Sequence, residues 1–315
     1  MTEIEDRLRE ALSTIARVAG SAVDGGHFTD EQPHEQSELV CAPKNLPRRL
    51  LINAAKTAVK INPMNAPVFG PLAAVGAEAI MEPERISVIV SKYWGPTPRR
   101  LTVSFIDSTP ADLRARIIAH MNAWTQTECI SFVETQRGGN VRISRGSGGY
   151  WSYLGTDILH IPSNRQTMNL QGFTMNTPES EYRRVVRHET GHTLGFPHEH
   201  MRKALVARID PQKAYEYFLR TQGWDKQTVD QQVLTPLDEN SLMGTPVDQD
   251  SIMCYQLPGS ITKDGQPIKG GTDINQTDYV FAGRIYPKPG HDLTVEQHEE
   301  WGPSEDIREP VLAAL

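Results

Sequence analysis

Eleven contiguous residues, His188-Glu189-Thr190-Gly191-His192-Thr193-Leu194-Gly195-Phe196-Pro197-His198, carry three imidazoles and a carboxylate at spacings that can build a metal site. His188 and His192 are four apart, so on a helix their rings share one face, one turn apart. Gly195 tolerates left-handed backbone and lets the chain leave that helix sharply. The turn brings His198 back as a third nitrogen. Three neutral nitrogen donors suit one zinc ion per chain. They leave the fourth tetrahedral position to water, as in a catalytic site and unlike a structural one. Glu189 follows the first histidine and can take a proton from that water. The chemistry this arrangement points to is hydrolysis of a polarised carbonyl.

The spacing H-E-x-x-H-x-x-G-x-x-H is that of the metzincins. Within them the chain resembles the astacins, which read H-E-x-x-H-x-x-G-F-x-H-E-x-x-R. His188, Glu189, His192, Gly195, Phe196, His198, Glu199 and Arg202 fill every fixed position. Ser251-Ile252-Met253-Cys254-Tyr255 resembles the family's Met-turn, in which Met253 forms a soft floor beneath the zinc. The resemblance implies that Tyr255, two residues on, is a movable fifth ligand that helps stabilise the transition state. Met243, in Ser241-Leu242-Met243-Gly244, is a rival for the floor but lacks a tyrosine at that offset. Looser echoes lie in Thr127 to Val133 and Trp151 to Gly155, and the likeness covers about Tyr93 to Pro287.

The fold that the resemblance implies is α/β (α+β). It has a twisted mixed five-strand sheet, two long helices and an irregular lower subdomain. The implied activity is that of a zinc metalloendopeptidase acting on a peptide or protein substrate, bound extended along a sheet edge for which Thr156 to Ile161 is the candidate. A non-catalytic zinc-containing peptide-binding protein is the alternative, and Glu189 speaks against it, because a binder has no use for a base. In mature relatives the residue matching Glu199 pairs with a freed N-terminal amine. In an intact chain Glu199 is expected to pair with Arg202.

Composition narrows the partners. The chain has 315 residues, 38% hydrophobic and 23% charged, which is ordinary for a globular protein. A net charge of -7 argues against a nucleic-acid partner. No run of 18 apolar residues is present, so no membrane span is expected. Three cysteines, Cys41, Cys129 and Cys254, make no disulfide framework. The start, Met1 to Gly20, is charged and amphipathic and lacks the apolar core of a secretory signal. Together these lead us to expect a cytoplasmic protein, or one exported by a signal-independent route.

Three regions are expected: a mainly helical N-terminal region over 1–92 that is a candidate propeptide, the metalloprotease domain over 93–287, and an acidic tail over 288–315. Residues 21–46 read as a linker, and Pro47 to Ile61 as a helix. Leu72 to Met81 and Glu84 to Tyr93 suit two further short helices. Strands are expected near Leu101 to Phe105, Ile130 to Glu134, Val141 to Ser144 and Ile158 to Ile161. A helix opens at Thr109-Pro110, with the hydroxyl as cap. A second begins at Glu179 and carries the metal motif. Pro211 to Arg220, Lys226 to Leu234 and Asn275 to Tyr286 complete the helical set.

Some metzincins are kept latent by a thiolate on the metal and others by a carboxylate. Cys41, beside a proline in the linker, is the candidate thiolate, and Asp30 is the weaker carboxylate candidate. His200 is a rival ligand two residues beyond His198. The motif selects His198, leaving His200 as a supporting or surface group. His160 alternates along an expected strand, where a histidine is more often a satisfied bystander than a ligand.

Overall fold

The computed structural model describes residues 41–66, 90–237 and 246–289. Asp30, Met243, the amphipathic start at 1–20, the helix expected at 72–81 and the tail from 290 lie outside these residues. Among the described residues five strands are formed: β1 (Arg99–Phe105), β2 (Ile130–Glu134), β3 (Val141–Ser144), β4 (Tyr150–Ser152) and β5 (Met168–Leu170). Their order across the sheet is β2-β1-β3-β5-β4. The first four in that order are parallel, and β4 runs antiparallel to β5 as one edge.

Among the described residues the longest helices are α1 (Arg48–Ile61), α2 (Ala111–Met121), α3 (Arg187–Leu194), α4 (Pro211–Gln222) and α5 (Gln276–Ile285). The α2 face made by Leu113, Ile117 and Met121 is fully buried with Phe132 and Val103 of the sheet, because i, i+4 and i+8 fall on one stripe. A π-helical stretch, Tyr182–Val186, leads directly into α3. A second apolar core gathers Leu205, Ile209, Phe218, Val233, Leu257 and Ile268. The chain passes from the first core to the second between Met253, which belongs to the first, and Cys254 and Tyr255, which belong to the second. α5 opens on a capping box between Asn275 and Asp278.

Several expectations need correction. Ile158 to Ile161 is not a strand. Gly155–His160 is a 3-10 helix that ends at Ile161. Ile158 is buried and Leu159 is 43% exposed, and a three-residue turn puts Ile158 and Ile161 on one side, which also reads as an apolar pattern. The edge strand is instead the three-residue β4, too short to announce itself by alternation. Thr109 does not cap α2, because its hydroxyl donates to the Asp107 carbonyl and accepts from Arg145 Nε. Residues 90–93 are not helical. Residues 41–46 are no loose linker: the N–H groups of Ala42 and Lys44 donate to the carbonyls of Tyr150 and Ser152, at 3.1 and 3.3 Å. They lie along β4 in the parallel sense. The three cysteines are free thiols, and no described helix is long and apolar enough to cross a membrane.

Candidate active site

α3 is held in place through its own carbonyl groups. The Trp124 indole donates to Arg187 O at 2.9 Å and the Trp94 indole to Thr193 O at 2.8 Å. The Tyr286 hydroxyl donates to Leu194 O. The bonds to Thr193 O and Leu194 O satisfy acceptors that the buried C-terminal end of the helix would otherwise leave unpaired. Thr193 also meets Ser152 of β4 across 3.1 Å between hydroxyls, which ties the helix to the edge strand. Gly195 ends the helix at φ +100°, and the Phe196 N–H donates back to Gly191 O at 2.9 Å. His198 is thereby turned toward the helix face that carries His188 and His192.

The three imidazoles converge. Nε2 of His198 lies 3.1 Å from that of His188 and 2.9 Å from that of His192. A tetrahedral ion with metal–nitrogen bonds of about 2.0–2.1 Å needs its nitrogens roughly 3.3 Å apart, so the rings are spaced to hold zinc. The opposite nitrogens are occupied: His188 Nδ1 meets Ile252 O at 2.6 Å, and His192 Nδ1 meets Phe196 O at 2.8 Å. Such outer contacts fix the tautomer that leaves Nε2 free to bind. Burial holds His188 down at about 4, helped by the nearby Arg184 charge. Burial holds His192 and His198 well below the ordinary range, helped by His188 and His200 for the first and by His192, His200 and His188 for the second. All three are therefore neutral donors.

Cys41 joins this cluster. Its Sγ and the ring nitrogens of His188, His192 and His198 lie within 4.8 Å of one another, all on buried residues. Burial pushes the Cys41 thiol well up, and the neighbouring Glu189 adds to the rise. Glu189 is 1% exposed, and burial lifts its carboxyl to about 8. Cys41 interacts with both Glu189 and Tyr255, yet neither the Glu189 oxygens nor the Tyr255 hydroxyl completes a hydrogen bond. Two buried polar groups with unmet capacity beside three converging nitrogens leave room for a further ligand. A cavity of about 560 Å³ adjoins them, lined by Leu46, Lys92, Asp157, His192, His198 and Gln232.

Met253 is buried beneath α3, with its sulfur against Gly191. Glu199 takes the partner expected of an intact chain: Arg202 Nη1 stands 3.4 Å from its Oε1, which also accepts the Asp248 N–H at 3.0 Å. His160 stays outside the cluster. His200 is fully buried and also lies outside it. Reading the sequence alone missed Trp94, Trp124 and Tyr286, and the carbonyls of Ile252 and Phe196. Partners of that kind carry no residue-type signal.

A family model described as Astacin, a peptidase family, matches residues 89–268, more than half of the chain. The chain belongs to the astacin family. This astacin-family chain is 34% identical over 100 residues to "Zinc metalloproteinase nas-27" of Caenorhabditis elegans. That alignment covers 31% of the chain and 21% of the worm protein, so the chain spans about a fifth of that relative's length. Two solved structures of myroilysin are also similar. One has a TM-score of 0.58 at 28% identity and covers 63% of this chain and 96% of its own. The other has a TM-score of 0.50 at 30% identity, with 63% and 87% covered. The mixed sheet and helices are thus those of astacin-like metzincins. Family zinc dependence agrees with the donor set of three histidines and a cysteine.

Proposed function

We propose that this chain is a zinc metalloendopeptidase, held in a latent form in which Cys41 closes the site. The observation that carries the reading is the convergence of three neutral Nε2 atoms beside the buried, unpartnered carboxylate of Glu189. Zinc held by His188, His192 and His198 would supply a Lewis acid for the scissile carbonyl and acidify water to near neutrality. Glu189 takes the proton from the attacking water and returns it to the leaving amine. The Tyr255 hydroxyl, free of any other bond, donates to the developing oxyanion. The β4 edge pairs with the substrate backbone, using the Tyr150 and Ser152 carbonyls that now accept from Ala42 and Lys44.

Latency rests on the same residues. With zinc held by His188, His192 and His198, the ion's charge would favour loss of the Cys41 proton, and Cys41 would be the fourth donor. The Cys41 segment therefore blocks two functions at once, the open metal position and the substrate edge. A peptide-binding protein without catalysis would have no need of Glu189 at this place. The test is cleavage of a peptide library by the zinc-loaded enzyme freed of Cys41, read by mass spectrometry. Glu189→Ala should lose hydrolysis and keep its metal. An active Glu189→Ala variant would place the base elsewhere.

A further inference from the structure

Tyr255 completes no hydrogen bond at its hydroxyl, and the Cys41 thiol is the group that interacts with it there, so once the Cys41 segment leaves nothing at that end sets its direction. What holds the residue is contact with its ring. His200 stacks on it almost flat, with centroids 4.0 Å apart and planes 14° from parallel. His198 closes in from another direction at 4.2 Å and 53°. His200 is itself fixed: it is fully buried, and Nε2 meets the Gln232 carbonyl at 2.9 Å. Its Nδ1 has no partner, and it takes no part in the metal cluster. A leucine or methionine could fill the same volume without leaving a buried nitrogen unpaired. What the imidazole adds is a flat face, locked at one angle by the bond to Gln232.

We infer that His200 is a positioning residue for Tyr255. The stack confines the phenol to sliding in its own plane across the imidazole, so the hydroxyl arrives at the position of the three Nε2 atoms already oriented. Gln232 sets the plane. The inference rests on the proposed role of Tyr255 in the transition state.

Two measurements test it. The first is NMR of the metal-free full chain with labelled tyrosines, where the Tyr255 signal is the one lost in Tyr255→Phe. His200→Leu should move that signal out of the imidazole ring current and speed its ring flip. An unmoved signal would overturn the stack in solution. The second is kinetics on the zinc-loaded full chain carrying Cys41→Ala. There His200→Leu should lower kcat about 3- to 10-fold, the equivalent of one aromatic pair, with KM and zinc content kept. His200→Phe, which preserves the flat face, should recover most of the loss. In a Tyr255→Phe background His200→Leu should cost nothing more. A full additional loss there, or loss of zinc, would show a merely structural role and overturn the inference. If Tyr255→Phe itself keeps full kcat, the reading of Tyr255 has failed. If Tyr255→Phe lowers kcat and His200→Leu does not, only the inference has failed.

Discussion

The Met253 sulfur stands where a side chain on Gly191 would begin: a Cβ at Gly191 would overlap it and lie 3.3 Å from Trp124. The floor of the site and the helix above it therefore touch through the one residue type with no side chain. Gly191→Ala gains up to about 1 kcal/mol of helix propensity. It must also push Met253 aside, and overpacking of that kind costs about 1–3 kcal/mol. We expect a lower melting temperature and weaker zinc binding, with Gly191→Ala/Met253→Ala recovering part of the stability. Thermal unfolding and zinc titration of the three proteins check this. A neutral Gly191→Ala would mean that the floor yields freely.

Intact protein should be nearly inactive on a fluorogenic peptide, because the Cys41 sulfur shares the metal cluster. Cys41→Ala should gain activity without any cleavage of the chain. The gain should be partial, since Ala42 and Lys44 still cover the edge of β4. Adding Ala42→Pro, which removes the N–H donated to Tyr150, should raise it further. Equal rates for the intact chain and Cys41→Ala would remove the latency argument.

Purified full chain should contain about one zinc, and a chelator should remove metal and stability together. A ligand that binds only the folded state at 100 times its Kd stabilises by about 2.7 kcal/mol. The denaturation midpoint should therefore rise with added zinc and fall with chelator. Metal analysis that finds no zinc in fresh, folded protein would contradict the proposed activity.

Asp278 gives a pH signature. Its carboxylate accepts from Ser251 Oγ at 2.6 Å, Ile252 N at 2.9 Å and Asn275 N at 3.0 Å. Burial nevertheless raises its pKa from 3.8 to about 6. A carboxyl raised on folding contributes its full stability below its unfolded pKa and loses that contribution as pH rises through the folded value. Here the window is about pH 4 to 6. Asp278→Asn can keep both backbone bonds on its oxygen and turn its amide to the Ser251 hydroxyl. Relative to that variant, wild type should lose on the order of 2–3 kcal/mol between pH 4 and 7. Chemical denaturation of both proteins across that range checks the sign. A constant difference would show that Asp278 does not titrate there.

The three converging histidines and Glu189 were legible in the sequence because they lie within one short stretch. The helical period sets His188 beside His192, and one left-handed glycine returns His198, so local geometry alone brings the donors together. The same holds for β1 to β3 and α2, where alternation or a helical stripe runs long enough to be read. Tertiary structure decided the rest. Cys41 reaches the cluster only because Ala42 and Lys44 pair with β4, and that three-residue strand exists only through its pairing with β5. His200 faces Tyr255 because Gln232, on a separate helical turn, takes its Nε2. The carbonyls that set the histidine tautomers belong to Ile252 and Phe196, residues whose side chains say nothing about the task. A short segment encodes contacts within itself, whereas pairing between distant segments depends on which surfaces remain to be buried once the whole chain has folded.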